Sequence, residues 1–287
     1  MKLLVINPNT TVSMTEKIGH AARAAAGAGT ALIALQPPDG PESIEGYYDE
    51  AFSVPGILSL IAGAERAGPA DAYVIACFDD TGLDAARCLT ASPVIGIGEA
   101  AFHLASLLCT RFSVVTTLAR SIAAIEHNLL RYGLAARCAR VRAAEVPVLA
   151  LEQPGSDARA RISAEIAAAL REDRSEAIVL GCAGMTDLAR DLAREHGVPV
   201  VDGVAAAVKL AESLVGLGLS TSRRGAYAPP RAKRYDGVFA PMAPVDRRGA
   251  PAQTPTTRWA RGRRPGPRRR RPPGITRDLR PAAPRWG

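Results

Sequence analysis

DAYVIACFDDTGLDAAR at residues 71–87 and EAIVLGCAGMTDLAR at residues 176–190 follow one plan. Each starts with an acid and an alanine, runs through an apolar stretch of strand length, and reaches a cysteine, Cys77 or Cys182. A threonine follows four residues later, at Thr81 and Thr186, and a leucine six later, at Leu83 and Leu188. About 16 residues past each cysteine the chain repeats again, PVIGIGEAA at 93–101 against PVVDGVAAA at 199–207. The openings match too: KLLVINPNTT at 2–11 and RFSVVTTLAR at 111–120 are short apolar runs that end in small polar groups. Four elements recurring in order, at offsets between 105 and 109 residues, mark an internal duplication. They predict an α/β protein of two similar, pseudo-symmetric lobes, each with a mainly parallel sheet flanked by helices. The active site is expected in the cleft between the lobes.

Outward from these segments, apolar runs alternate with Ala/Leu/Arg-rich helical stretches over residues 2–217, as parallel strands joined by crossover helices require. Strands are predicted at 2–7, 30–36, 71–76, 93–97, 111–116, 138–146, 176–181 and 198–202. The first helix is expected after NPNTT, with Ser13 and Glu16 at capping-box spacing. Residues 37–50, PPDGPESIEGYYDE, hold too many Pro, Gly and acidic residues for regular structure and form a candidate binding loop. The first lobe is assigned to 1–110, with 203–221 crossing back to it, and the second to 111–202. From residue 222 the hydrophobic period stops, and RGRRPGPRRRRPP at 261–273 cannot bury enough surface to fold. Residues 222–287 are therefore expected to be a disordered basic tail.

Charge divides along the same line. The chain of 287 residues carries a formal +8, yet 18 of its 36 Lys and Arg and only three of its acids lie in 222–287. The body is left with 18 basic against 25 acidic side chains and is acidic. Nucleic-acid contact is thus expected only non-specifically, through the tail. No run approaches the roughly 18 apolar residues that span a bilayer, and the apolar run after Met1-Lys2 is too short for a secretory signal. Cys77, Cys88, Cys109, Cys138 and Cys182 include no CxxC pair of the kind metal sites and dithiol motifs use, and an odd count without a signal peptide suggests reduced thiols in a cytoplasm. His20, His103, His127 and His196 show no metal-ligand spacing, and Gly96/Gly98 and Gly27/Gly29 complete no GxGxxG. No metal and no cofactor are expected.

Ligands of open α/β sheets bind at the carboxyl ends of strands, where Cys77 and Cys182 both fall. Two such thiols facing one cleft suit racemisation at a carbon acid, in which a proton leaves one face and another returns to the opposite face. A cysteine has a reference pKa of about 8.5, low enough for a helix N-terminus or a donor-rich cleft to generate thiolate near neutral pH. The enolate-like charge on the substrate needs fixed donors. Candidates are the backbone N–H groups at Phe78-Asp79 and Ala183-Gly184, the hydroxyls of Thr116 and Thr117, and the amide of Asn9. Asn9, Thr10 and the Thr116-Thr117 pair serve equally as plain helix caps on this reading. Cys88, Cys109 and Cys138 read as small core hydrophobes. A dithiol redox protein using the same two cysteines, and a nucleic-acid-binding protein acting through the tail, are the rival classes.

NPNTT at 7–11, ESIEGYYDEA at 42–51, CFDDTGLDAAR at 77–87, VVTTLARS at 114–121, GCAGM at 181–185 and DGVAAAVKLAE at 202–212 together resemble the hydantoin racemases of the aspartate/glutamate/hydantoin racemase superfamily. The resemblance runs from residue 1 to about 239, including GAYAPP at 225–230. It implies a two-lobed α/β fold, homo-oligomers, no cofactor, and Cys77 and Cys182 as the catalytic pair. It also implies that Asn9, Phe78, Asp79, Thr116, Thr117, Ala183 and Gly184 line the substrate site, with Ile44 closing over the ring. Glutamate and aspartate racemases carry Asn-Thr after the first cysteine, where this chain has Phe78-Asp79-Asp80. That difference favours a small neutral ureide such as a 5-substituted hydantoin, with allantoin the close rival and an Asp or Glu substrate behind it. Decarboxylases and maleate isomerases of similar architecture are more distant. The family normally stops soon after the position of Phe239, so the residues past about 246 are expected to be a frameshift product or an unselected extension.

Overall fold

The computed structural model describes residues 1–244. Among the described residues, eight short strands form two four-stranded sheets. The first holds β1 (Lys2–Ile6), β2 (Ala31–Leu35), β3 (Ala72–Ile75) and β4 (Val94–Gly96), in the order β2-β1-β3-β4. The second holds β5 (Phe112–Thr116), β6 (Cys138–Ala143), β7 (Ala177–Gly181) and β8 (Val200–Val201), in the equivalent order β6-β5-β7-β8. Every pairing is parallel. The central strands β3, β5 and β7 are buried along their whole length, which is why they read as unbroken apolar runs rather than alternating ones. All eight predicted strands are present, trimmed at their ends. β6 stops at Ala143, but the N–H groups of Ala144 and Val146 still donate to the carbonyls of Thr116 and Thr117 at 2.9 and 3.0 Å.

In the described residues eight α-helices link and flank the strands: α1 (Val12–Ala25), α2 (Tyr47–Ala67), α3 (Leu83–Leu89), α4 (Ile97–Leu108), α5 (Ile122–Arg131), α6 (Ala158–Ala168), α7 (Ala189–His196) and α8 (Gly203–Gly216). Two local expectations are corrected. The Ser13/Glu16 capping box does not form: α1 starts earlier, with Thr11 at its N-cap, and the Thr11 N–H donates to Asn9 Oδ1 at 2.9 Å. The stretch 37–50 is not irregular throughout, because α2 begins at Tyr47 with Asp49 and Glu50 in its first turn, where carboxylates favour the helix dipole. Asp202 caps α8 by accepting the Val204 and Ala205 N–H groups at 3.0 Å each. From there α8 leaves the second sheet and packs on α1 and α4, where Glu212 accepts the Gly27 N–H and the Thr30 hydroxyl. The chain after α8 opens with packed residues: the Arg223 guanidinium donates to the carbonyls of Arg87, Cys88 and Thr90, and the Tyr227 hydroxyl donates to Asp84. The Arg/Pro block and the expected extension past 246 lie outside the described residues. Among the described residues no helix is long and apolar enough to cross a membrane.

One core passes from sheet to sheet. It contains Val5 and Val74 of the first, Val114 and Val179 of the second, and the inner faces of α4 and α8. Phe102 on α4 is its hub and is fully buried. Its ring meets Phe78 edge-on at 5.3 Å, stacks on Phe112 at 6.2 Å and lies 6.3 Å from Tyr132. Phe78 follows β3 and Phe112 opens β5, so this aromatic group joins the two sheets. Phe102→Ala should cost about 3–5 kcal/mol of stability, the usual range for a buried aromatic truncated to alanine. Urea denaturation measures it, and a loss under about 1 kcal/mol would show that the rings repack and that Phe102 is not the joint.

Candidate active site

In each sheet the chain leaves one central strand toward one edge and the other central strand toward the opposite edge. The connections part at the carboxyl ends of β1 and β3, and again at β5 and β7, which are the crevices where such sheets take ligands. Asn7 to Thr11 follow β1, Cys77 follows β3 by two residues, Thr117 follows β5 and Cys182 follows β7. One cleft is lined from all four ends.

Of the residues singled out in the sequence, Asn9, Ile44, Cys77, Phe78, Asp79, Thr117, Cys182 and Ala183 line this cleft. The Phe78 ring itself is buried against Phe102. Thr116 and Gly184 stand behind the wall. The Thr116 hydroxyl is buried and donates to the Gly181 carbonyl at 3.0 Å, closing the β5–β7 strand ends. Gly184 packs against Leu151, which a Cβ on it would meet at 2.9 Å, and its N–H donates to the Cys182 sulfur. The sequence reading missed Asn7, Met14, Ser121 and Val148, which also line the cleft. Asn7 orients Asn9: its Nδ2 donates to Asn9 Oδ1 at 2.8 Å and to Thr15 Oγ1 at 2.9 Å. With Thr11 N–H on the same oxygen, the Asn9 carbonyl is engaged, while its NH₂ meets only the weak acceptor Met14 Sδ at 3.1 Å. Asn9 therefore keeps a donor to offer a ligand.

The thiols differ from the expectation of a low pKa. Burial pushes Cys77 well up, and the Asp79 carboxylate adds to it, against donation from the Thr81 hydroxyl at 3.3 Å and the Asp79 N–H. Burial pushes Cys182 up to about 11, against the Gly184 N–H and the nearby Lys17 ammonium. Cys182 is the N-cap of a 3₁₀ turn (Ala183–Met185), while α3 and α7 start farther along the chain, at Leu83 and Ala189. The backbone donors at 79 and 184 thus face the sulfurs, and their effect is to favour the thiolates. Asp79 is pushed up to about 8 by burial, then by Glu50 and Asp80. Glu50, also raised by burial, has a buried Oε1 with no hydrogen-bond partner among the described residues. The cleft wall includes no Lys or Arg.

Asp80, held at φ +52°, faces away from the cleft and accepts the N–H groups of Gly98 and Glu99 at 3.0 and 2.8 Å and the Tyr132 hydroxyl at 2.7 Å. It caps α4 from a distance, and burial pushes its carboxyl up to about 7 in spite of these donors. Glycines at 96 and 98 make the approach possible: a Cβ on Gly96 would lie 2.0 Å from Asp80 Oδ1, and one on Gly98 2.3 Å from the Phe78 carbonyl. Asn128 of α5 donates to the Asp79 carbonyl at 2.8 Å, so the turn after Cys77 is fixed from both sheets. Cys88, Cys109 and Cys138 lie outside the cleft lining, the first two donating to backbone carbonyls one turn back. Among the described residues no cluster of three or more His, Cys, Asp or Glu side chains is arranged to hold a metal ion.

Residues 3–211 match the family model for Asp/Glu/Hydantoin racemase. The chain belongs to this family. It is 50% identical to a hydantoin racemase of Rhizobium meliloti over 237 residues, covering 83% of this chain and 98% of the relative. It is 47% identical to a hydantoin racemase of Pseudomonas sp. (strain NS671) over 239 residues, covering 83% and 96%. Among solved structures, an allantoin racemase from Klebsiella pneumoniae superposes with a TM-score of 0.83 at 49% identity, covering 85% of this chain and all of that one. The protein is an isomerase, a racemase.

For this racemase Asp80 is a structural anchor beside the cleft. Asp80→Ala leaves the buried Gly98 N–H, the part-buried Glu99 N–H and the Tyr132 hydroxyl without their acceptor and should cost about 3 kcal/mol, at the desolvation cost of unpaired donors. A fall in Tm with matching urea data would show it, and an unchanged Tm would mean the turn after Cys77 is held without this carboxylate.

Proposed function

We propose that this racemase interconverts the enantiomers of 5-substituted hydantoins by proton transfer between two thiols, without a cofactor. The observation that carries the reading is that Cys77 and Cys182, at equivalent strand ends of the two sheets, line one cleft. The thiolate of one takes the C5 proton, and the electron pair of the C–H bond moves onto the adjacent carbonyl oxygen. The thiol of the other then gives its proton to the opposite face of C5, and the enolate pair returns to form the new C–H bond. The Asn9 NH₂ and the Thr117 and Ser121 hydroxyls on the cleft wall are the donors available to the enolate oxygen.

The charge of the wall supports a neutral ring. An α-amino acid would bring a carboxylate into a cleft that offers Asp79 and no lining cation, and an unpaired buried charge is costly. A ureide instead offers N–H groups to the Asp79 carboxyl oxygens. Met14, Ile44 and Val148 supply an apolar side to the cleft, which suits an alkyl or aryl substituent. Allantoin is the second reading, favoured by the 49% identity to an allantoin racemase.

The test is loss of optical rotation by one enantiomer of 5-benzylhydantoin in heavy water, with allantoin and L-glutamate in parallel. Cys77→Ser and Cys182→Ser should each cut racemisation by about 10²–10⁴-fold, the usual worth of a positioned acid or base. Full activity in either variant would refute that cysteine's role, and turnover of L-glutamate alone would refute the ring.

Because both thiols are raised, the thiolate is the minor form at neutral pH. kcat/KM should therefore climb roughly tenfold per pH unit from pH 6 to 8. Above about 8 the slope should flatten, because Asp79 ionises there and raises Cys77 further. Asp79→Asn, which stays neutral, should leave the rise over pH 6–8 in place and remove the flattening above about 8. A rate independent of pH over 6–8, or a flattening that persists in Asp79→Asn, would contradict this ionisation scheme.

A further inference from the structure

Among the described residues, the segment between β2 and α2 hydrogen-bonds to the second-lobe chain through one side chain, Glu45. Thr10 N–H donates to the Pro41 carbonyl at 3.0 Å and the Thr11 hydroxyl to the Glu42 carbonyl at 2.7 Å, so residues 41 and 42 are fixed to the turn after β1. Farther along, the Val148 N–H donates to Glu45 Oε1 at 2.9 Å, across 103 residues of sequence. Among the described residues this is the one hydrogen bond from 37–46 to the second-lobe chain. Val148 opens a 3₁₀ turn (Val148–Glu152), and the first N–H of such a turn has no partner within it, so Glu45 supplies the missing acceptor. The Glu45 backbone is fixed in its turn, its N–H donating to Asp49 Oδ2 at 2.9 Å.

The bond joins the neighbours of two cleft residues. Ile44, next to Glu45, lines the cleft from the first lobe's loop, and Val148 lines it from the second-lobe turn. Gly46, on the other side of Glu45, has φ +137°, a conformation open to glycine and strained for other residues, so the loop turns sharply there into α2. The same 3₁₀ turn is tied to the first lobe at its other end, where Lys17 of α1 donates to the Leu151 carbonyl at 3.1 Å and pairs with Glu152 at 2.7 Å. The near end follows Val146, whose N–H donates to the Thr117 carbonyl at 3.0 Å, and Glu45 supplies the acceptor for Val148 itself.

We propose that Glu45 is a specificity-determining positioning residue: by holding the Val148 N–H it fixes the placement of Ile44 relative to Val148 in the apolar part of the cleft that takes the ring substituent. The proposal rests on the reading of the substrate as a 5-substituted hydantoin. Without the bond the apolar wall opens, and the loss grows with the apolar area that the substituent places against it. The reacting ring, held at the strand ends, is affected less.

The experiment compares kcat and KM for 5-methylhydantoin and 5-benzylhydantoin in wild type, Glu45→Ala and Glu45→Gln, all checked for unchanged Tm. Glu45→Ala should lower kcat/KM for the benzyl substrate about tenfold more than for the methyl one, carried mainly by KM. Glu45→Gln, whose amide oxygen still accepts the Val148 N–H, should stay within roughly threefold of wild type on both. Equal losses on the two substrates in Glu45→Ala, or a Glu45→Gln variant as impaired as Glu45→Ala, would overturn the role of Glu45 while leaving the substrate reading intact. Wild type inactive on both hydantoins would overturn the substrate reading and this proposal with it.

Discussion

Parallel strands can be joined only by crossovers, and a sheet ordered β2-β1-β3-β4 sends the crossover after β1 one way and the crossover after β3 the other. The backbone therefore parts at the carboxyl ends of the two central strands, and the sheet's own hydrogen bonds leave that gap open. Duplication gives the chain two such gaps. The common core around Phe102 joins the sheets so that both open on the same cleft. Cys77 and Cys182 lie in it because each stands just past a strand whose buried apolar run fixes where the strand ends.

Inside that cleft burial dominates the electrostatics. Backbone donors reach both sulfurs, yet both thiols stay raised, because desolvation outweighs a few hydrogen bonds and the carboxylates of Asp79 and Glu50 add repulsion at Cys77. Asp79 answers the same forces by holding its proton to about pH 8. A neighbouring carboxylate, Asp80, escapes the cleft by capping α4, and there three donors surround it. Two adjacent aspartates thus do different work, one facing the ligand space and one fixing the turn that carries it.

The lobes are tied by contacts of unequal weight. Asp80 with Tyr132, Asn128 with the Asp79 carbonyl, Lys17 with the turn at 148–152 and Glu45 with Val148 are at least partly shielded from water. The Arg131–Asp84 pair at 3.0 Å is exposed, and such a pair contributes at most about 1 kcal/mol. The ties of Asn128 to Asp79 and of Glu45 to Val148 end on residues that line the cleft, so the placement of those walls and the packing of the lobes are one problem.

The repeat around Cys77 and Cys182 announced two equivalent sheets, and the eight strands stand close to where apolar runs ended in small or polar residues, because burial on both faces writes itself directly into composition. The thiols and Asn9 were legible for the same reason, as strand-end positions repeated in both halves. Local capping was read less well: Ser13 and Glu16 had the right spacing, but Asn9 reached the Thr11 N–H first. Thr116 and Thr117 are neighbours of like chemistry, and only the strand pairing with Gly181 sends the first hydroxyl into the wall and leaves the second at the cleft. Asn7, Val148, Glu45 and Glu50 carry no local signal, since each acquires its role from a partner distant in sequence or from burial. The sequence by itself determined the elements, their duplication and the family, through periodicity and strand-end chemistry. Only the tertiary structure decided which donors face the ligand and where the thiol pKa values lie, because desolvation and long-range hydrogen bonds exist only once the two sheets are packed together.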